Sequence, residues 1–161
     1  MKTKFNIFII AILLLALGCD DGTIHIWNLA TGLLHRAFVG HAKGITCLQP
    51  LPGGLLASGS WDHTICIWEW GTGALCRVLT GHTDGVTCLQ SLPGRLLASV
   101  SWDRTIRIWD WETGLQCHML ADHHAAWVTC LQSFSDGLFA SGSGDKMVHI
   151  WGKALSLLEV A

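Results

Sequence analysis

Three His–Asp pairs have residue types that could carry acid–base chemistry. Histidine recurs at a nearly constant interval, and an aspartate follows each one at the same distance: the pairs are His41–Asp62, His82–Asp103 and His124–Asp145. An imidazole beside a carboxylate is a common pair in catalytic sites. An active site is normally unique in a chain, whereas a structural device recurs with its repeat. We therefore interpret the pairs as structural. The sequence contains no GxSxG, HExxH or P-loop motif, so we predict no catalytic residue and no cofactor.

Five of the seven cysteines also follow the repeat. Three of them occupy one column, TCLQ, and two occupy another: Cys47, Cys88 and Cys130, then Cys76 and Cys117. Equivalent positions in successive repeats lie a whole repeat apart, which is too far for a disulfide. No CxxC pair occurs, and no cluster of residues has the spacing of zinc ligands. We predict free thiols, mostly packed as small apolar side chains, and no metal site. Free thiols favour a reducing compartment.

The same interval organises nearly the whole chain. Four tryptophans and four aspartates each recur at it: Trp27, Trp68, Trp109 and Trp151, and Asp21, Asp62, Asp103 and Asp145. Between them, short alternating apolar segments are separated by turns rich in Gly. Half of the 161 residues are apolar and 14% are charged, which is enough for a core. A repeat of about 40–45 residues with four short strands predicts an all-β fold of propeller blades, each a four-stranded antiparallel sheet.

The repeat divides the chain into four segments after residue 19. We expect a partial repeat at 20–39, full repeats at 40–80 and 81–120, and a drifting fourth copy at 121–161. One column on the third strand of the repeat holds His25, Cys66, Arg107 and His149. Because this column accepts such different side chains, we expect it to face solvent.

Residues 1–19 allow two interpretations. Lys2 and Lys4 precede an uncharged apolar run at 7–17, and Gly18-Cys19 follows. This is typical of a secretory signal with a loose lipoprotein cleavage box, and it is too short for a transmembrane span. Alternatively, a shift of one repeat aligns LLALGCDDGTIHIW with LLASGSWDHTICIW, so the segment would form two strands of a first blade. The aligned turn QPLPGG corresponds to FIIAIL, which lacks turn residues. We therefore favour a signal or hydrophobic anchor, and an exported or membrane-attached protein over a cytoplasmic one.

The sequence resembles the WD40 repeat family from about Asp20 to Trp151. The resemblance rests on the Gly-His openings at 40–41 and 81–82, on the turn Asp of SWD, and on the IW that ends the third strand. In that family a His, a Ser, the turn Asp and the Trp of each blade form a hydrogen-bonded tetrad. The resemblance implies three such structural tetrads: His41, Ser58, Asp62 and Trp68; His82, Ser99, Asp103 and Trp109; and His124, Ser141, Asp145 and Trp151. The first blade departs from the pattern, because Leu17 stands in the place of Ser and no His precedes it.

Trp61 and Trp102 precede the turn Asp in two repeats, where the other copies have Asp20 and Gly144. The resemblance implies that this position lies on the top face of a propeller, where partners dock. Tryptophan is enriched at interface hot spots, so we regard both as candidate partner-binding residues. The alternative is that recent duplication copied a neutral residue.

The number of blades does not complete a ring. A seven-bladed ring of about 41 residues per blade needs roughly 290 residues, and this chain supplies three and a half or four blades. We expect an incomplete ring, which could be a fragment, a small closed ring, or half of a homodimer that completes a propeller.

The leading function is a non-catalytic scaffold that binds a protein or peptide partner. The alternatives are a propeller enzyme or cofactor-binding propeller, and a truncated remnant without a function of its own. The net charge is −2 and no Lys/Arg-rich run occurs, so we predict no nucleic-acid partner. Membrane association would depend on residues 1–19.

Overall fold

The computed structural model is all-β and describes residues 6–11, 14–134, 137–152 and 157–158, with backbone alone for 6–11 and 157–158. Sixteen strands in the described residues form four antiparallel sheets, and in each sheet neighbouring strands are consecutive in sequence. Among the described residues, no helix is long and apolar enough to cross a membrane.

Every sheet is a four-stranded meander. The first contains β1 (Asn6–Ala11), β2 (Leu14–Gly18), β3 (Thr23–Asn28) and β4 (Leu33–Val39), and the second contains β5 (Ile45–Leu51), β6 (Leu55–Ser60), β7 (Ile65–Glu69) and β8 (Ala74–Leu79). The third contains β9 (Val86–Leu92), β10 (Leu96–Ser101), β11 (Ile106–Asp110) and β12 (Gln116–Leu120), and the fourth contains β13 (Val128–Ser133), β14 (Phe139–Ser143), β15 (Val148–Trp151) and β16 (Leu157–Leu158).

The first sheet differs from the expectation for the N-terminus. Residues 6–11 and 14–18 form its first two strands, with Asn6 opposite Gly18 and Leu15 opposite Trp27. The repeat is therefore four-stranded rather than partial at 20–39, as in the second interpretation of the sequence. The segment FIIAIL, whose lack of turn residues argued against a hairpin, spans 8–13. Residues 8–11 belong to β1, and residues 12–13 lie outside the described residues. Whether the segment is also an export signal or anchor stays a prediction.

Successive sheets stack face to face. The first strand of each sheet contacts the first strand of the next, in the order β1, β5, β9 and β13. We call these four the inner strands. Each interface joins the same two faces. The Trp of one sheet's third strand packs against the Ile and Ala side chains of the preceding sheet, as Trp109 does against Ala57, Ile65 and Ile67. We call the side carrying this Trp the tryptophan face of a sheet, and the opposite side the isoleucine face.

The four sheets form an open arc in the described part of the chain, since the main interstrand contacts join only successive sheets. Three apolar cores lie between the four sheets, one at each interface. Because a pleated strand points successive side chains to opposite faces, neighbouring residues of a central sheet fill the two cores on its two sides in turn. For this reason, β6 and β10 are buried at nearly every position.

Candidate functional site

The third sheet brings the predicted residues His82, Ser99, Asp103 and Trp109 into one hydrogen-bonded chain. The indole Nε1–H of Trp109 donates to Ser99 Oγ at 2.8 Å, and Ser99 Oγ lies 2.7 Å from His82 Nε2. His82 Nδ1 lies 2.7 Å from Asp103 Oδ2. A neutral imidazole protonated at Nδ1 satisfies every contact, since it donates to the carboxylate and accepts from the Ser hydroxyl.

The second and fourth sheets repeat this geometry. The His–Asp, His–Ser and Trp–Ser distances are 2.8, 2.8 and 2.8 Å in the second sheet and 3.0, 2.8 and 2.9 Å in the fourth. The first sheet lacks the network because Leu17 replaces Ser, and Trp27 Nε1 is buried without an acceptor among the described residues. Three copies of one arrangement in a single chain fit a structural role better than a catalytic one.

The turn aspartates are held in the charged form. Burial alone would raise the pKa of Asp62, but hydrogen bonds from Thr64, from the Ala42 N–H and from His41 outweigh it, and the pKa lies below the ordinary value. The pKa of Asp103 is lowered in the same way against the effect of burial, by His82 and Thr105. Burial lowers the pKa of His82 despite the neighbouring carboxylate.

The column of His25, Cys66, Arg107 and His149 does not face solvent throughout, contrary to our expectation. Cys66 is buried, with its Sγ 3.8 Å from His41 Nδ1, and the other three are half-buried. The ring of His149 lies 4.4 Å from that of His124. The side chains of this column point to the opposite side of the third strand from the buried Ile residues and lie beside the His of each tetrad. These varied side chains therefore border a buried hydrogen-bond network.

Trp61 and Trp102 lie together at one end of the stacked sheets, and Trp127 joins them. The ring centroids of Trp61 and Trp102 are 4.5 Å apart at an interplanar angle of 69°, and those of Trp102 and Trp127 are 5.9 Å apart. Trp61 packs on the backbone of Gly85, where an added Cβ would overlap the indole ring. We call Trp61, Trp102 and Trp127 the tryptophan cluster.

The tryptophan cluster borders a cavity of about 390 Å³. Its other walls come from the start of the inner strands and from the first sheet: Asp20, Ile45, Thr46, Thr87 and Thr129. Trp102 and Trp127 are 46% and 53% exposed, whereas Trp61 is half-buried. The cavity therefore presents indole faces, hydroxyls and one carboxylate to solvent.

Sequence reasoning missed Trp127. It occupies the column of Gly44 and Gly85, just before the first strand of the sheet, and a bulky residue in a column otherwise held by Gly is the signal that could have revealed it. The Gly144 N–H donates to the Trp127 carbonyl, as the Trp102 N–H does to Gly85.

Other reactive groups are not gathered into a site. The seven cysteines, all within the described residues, are free. No group of three or more His, Cys, Asp or Glu side chains in the described part of the chain could hold a metal ion. Burial raises the pKa of the Cys47 and Cys66 thiols to about 12.

Four-stranded meanders stacked through their inner strands define the blades of a β-propeller. The WD domain, G-beta repeat (WD40) family profile matches residues 32–69, 73–110 and 114–152. Each match spans the last strand of one sheet and the first three of the next. The matches cover more than half of the chain, which therefore belongs to the WD40 family.

Curated relatives share only a short segment with this chain. It is 54% identical over 35 residues to mitochondrial division protein 1 of Coccidioides immitis (strain RS), and 51% identical over 35 residues to the Aspergillus clavatus protein of that name. Each match covers 22% of this chain and 5% of the relative.

Solved structures share the fold over nearly the whole chain. "Structure of U3-55K" aligns with a TM-score of 0.88 and 24% identity, and "Crystal structure of RRP9 WD40 repeats" aligns with a TM-score of 0.87 and 24% identity. Both alignments cover 98% of this chain but only 52% and 51% of the solved chains. This chain thus spans about half the length of those propellers.

Proposed function

We propose that this chain is a non-catalytic interaction module that binds a protein or peptide partner at the tryptophan cluster. WD40 propellers typically serve as protein-interaction scaffolds, which gives the general class. The observation that supports the specific site is the exposure of Trp102 and Trp127, at 46% and 53%, around one open cavity. Exposed indoles gathered in one place are uncommon on a monomer surface and typical of binding hot spots.

The chemistry of the cavity favours a peptide side chain as the inserted group. A volume of about 390 Å³ lies within the range of ligand-binding clefts. The indole faces supply apolar contact area at low entropic cost, and the hydroxyls of Thr46, Thr87 and Thr129 line the floor. Trp61 is held against Gly85, so part of the cluster is preorganised before a partner arrives.

The tetrads support the non-catalytic part of the proposal. In each tetrad the His contacts both Ser and Asp, and the Ser Oγ accepts an indole N–H. Hydrogen-bonded Ser, His and Asp also occur in catalytic triads, but the Ser residues of these tetrads are at most 1% exposed, so a substrate cannot reach their hydroxyls. We propose that each tetrad holds the turn before the third strand against the sheet.

A peptide selection tests the site. A phage-displayed random peptide library is selected on wild-type protein and then challenged with Trp102→Ala/Trp127→Ala and with Trp61→Ala/Trp102→Ala. We expect selected peptides to lose at least tenfold in affinity for both variants. Leu115→Ala, at an exposed position outside the cluster, is the matched control and should bind as wild type. Equal affinity for wild type and for folded variants would refute the site.

Two further partners are part of the proposal. We propose that a second copy of the chain is one partner. We also keep membrane attachment through residues 1–19 as a hypothesis. Membrane fractionation and intact mass spectrometry of the protein from its native host test the second. Recovery in the membrane fraction, with residues 1–19 retained or with lipid added at Cys19, would support attachment, and recovery in the soluble fraction alone would contradict it.

A further inference from the structure

None of the described residues covers the isoleucine face of the fourth sheet. Ile24, Ile65 and Ile106 occupy one column on the third strands and are 0%, 0% and 1% exposed, because the next sheet covers each of them. Val148 occupies the same column in the fourth sheet and is 68% exposed.

Neighbouring columns of that face change in the same way. Cys47 and Cys88 are half-buried while Cys130 is exposed, and Ile150 is less buried than Ile67 and Ile108. The described part of the face is uncharged and mostly apolar, with Gln132 as its polar side chain. Its other exposed and half-buried side chains are Cys130, Ala140, Val148 and Ile150.

At the other end of the arc, no described sheet packs against the tryptophan face of the first sheet. Leu15 pairs with Trp27 across β2 and β3, as Leu56 pairs with Trp68 and Leu97 with Trp109. The pairs in the second and third sheets are buried, whereas Leu15 and Trp27 are both half-buried. The opposite side of the first sheet is fully covered, with Ile24 and Ile26 at 0% exposure.

The two open ends are therefore complementary. Each of the three interfaces within the chain joins an isoleucine face to a tryptophan face, and the arc ends with one unused face of each kind. A second copy offers each open face the kind of surface that covers it inside the chain. Among the described residues, neither open face carries an Asp, Glu, Lys or Arg side chain that would repel the other. The first sheet presents Leu15, Leu17, His25 and Trp27, and the fourth sheet presents apolar residues with Gln132.

A hydrogen-bond ladder along the inner strands is also incomplete. Thr46 donates its hydroxyl to the Val86 carbonyl of the next sheet. Thr87 Oγ1 lies 2.6 Å from the Val128 carbonyl of the next sheet and 3.2 Å from Val100 in its own. Thr129, the equivalent residue of the fourth sheet, contacts only the Gly142 carbonyl of its own sheet among the described residues. Its hydroxyl is placed to reach an inner strand beyond the fourth sheet.

We infer that two copies of this chain associate head to tail, with the isoleucine face of each fourth sheet covered by the tryptophan face of the partner's first sheet. This inference rests on the proposed function as an interaction module and names the surfaces of the self-association. Two such contacts join eight sheets into one ring. One copy covers 52% and 51% of the two solved chains. Two copies together are therefore about as long as one of those propellers.

Two variants that introduce opposite charges on the two open faces test the pairing. Val148→Lys places a cation on one end face and Leu15→Glu places an anion on the other. We expect wild type to have twice the mass of one chain in size-exclusion chromatography with light scattering, and each variant alone to be monomeric. An equimolar mixture should recover the dimer, because one interface then pairs Lys with Glu and the other is wild type. Val78→Glu, an exposed Val on the outer strand β8, is the matched control and should remain dimeric.

Thiol protection gives a second measurement. Cys130 lies on the open isoleucine face, so its alkylation by iodoacetamide, followed by mass spectrometry, should slow at least tenfold as protein concentration rises through the dimerisation range. Cys76, exposed on β8, should show no such change.

Three outcomes would overturn the inference. They are a folded wild-type monomer at all concentrations, a dimer that survives both Val148→Lys and Leu15→Glu, and a mixture that fails to recover the dimer although both variants melt cooperatively. The readout is independent of the tryptophan cluster. Loss of peptide binding in Trp102→Ala/Trp127→Ala with an intact dimer would concern the peptide site alone, and loss of the dimer with intact peptide binding would concern the end faces alone.

Discussion

Ser99→Ala should destabilise the protein by about 2–6 kcal/mol. Ser99 is fully buried, and its hydroxyl is the acceptor for the Trp109 indole and lies 2.7 Å from His82 Nε2. The alanine leaves both groups in a water-free site without that partner. A buried donor or acceptor that loses its partner costs roughly 1–3 kcal/mol, and two are affected.

The measurement is urea unfolding at pH 7.5, followed by circular dichroism at one fixed protein concentration, because self-association makes apparent stability depend on concentration. Ser91→Ala, at a half-buried position of β9, is the control and should change the free energy of unfolding by less than about 0.5 kcal/mol.

A double-mutant cycle separates the hydrogen bond from packing. Phenylalanine at position 109 has no N–H, so Ser99→Ala should cost about 1–2 kcal/mol less in the Trp109→Phe background than in wild type. Equal costs in the two backgrounds, or a loss below about 0.5 kcal/mol for Ser99→Ala alone, would refute the assignment of the tetrad as a stabilising network.

Three other perturbations give separate tests. Trp27→Phe should cost about 1–2 kcal/mol less than Trp109→Phe in the same unfolding assay, because Trp27 Nε1 has no acceptor in the described residues to lose; equal costs would contradict this. The free energy of unfolding should fall as pH drops from 7.5 to 5.5: a folded-state pKa of His82 below 6.5 gives stability that is full above 6.5 and is lost as the imidazole protonates. The lowered pKa values of the turn aspartates extend the loss below pH 4, and a flat profile across both ranges would be inconsistent with the buried networks. At pH 8, a disulfide reagent should label the exposed Cys76 of the native protein quickly. Cys66 should react only after unfolding, because it is buried and burial raises the pKa of its thiol to about 12. Fast labelling of both cysteines would show that the second sheet opens.

The columns of the repeat predicted most of the strands, and the resemblance to WD40 repeats supplied the hydrogen-bond partners within each sheet. A buried Asp, His or indole N–H requires a hydrogen-bond partner, so residues that recur at fixed offsets identify which side chains must meet. The resemblance to WD40 repeats implied that His82, Ser99, Asp103 and Trp109 meet, and this requirement is the physical reason that they do.

Contacts between sheets were less accessible to sequence reasoning. Trp127 meets Trp102 across two sheets, and nothing in the local sequence specifies how two stacked sheets align their ends. The N-terminal strands were missed for another reason. A hairpin was judged by turn residues, but an apolar strand can be held by its neighbour, as Leu15 is by Trp27. Ile65 and Ile106 are buried because the next sheet covers them, whereas Val148, at the equivalent position of the last sheet, is exposed. The residue types alone do not predict this difference.

The two unlike end faces give the chain a polarity with consequences for assembly. A head-to-tail contact closes only when the rotations from sheet to sheet add up to a full turn, and it otherwise continues as an open-ended filament. The angle set by the packing of Trp68, Trp109 and Trp151 on the sheets before them therefore selects between a finite ring and a fibre. A core substitution that alters this angle would change the size of the assembly while leaving every sheet intact.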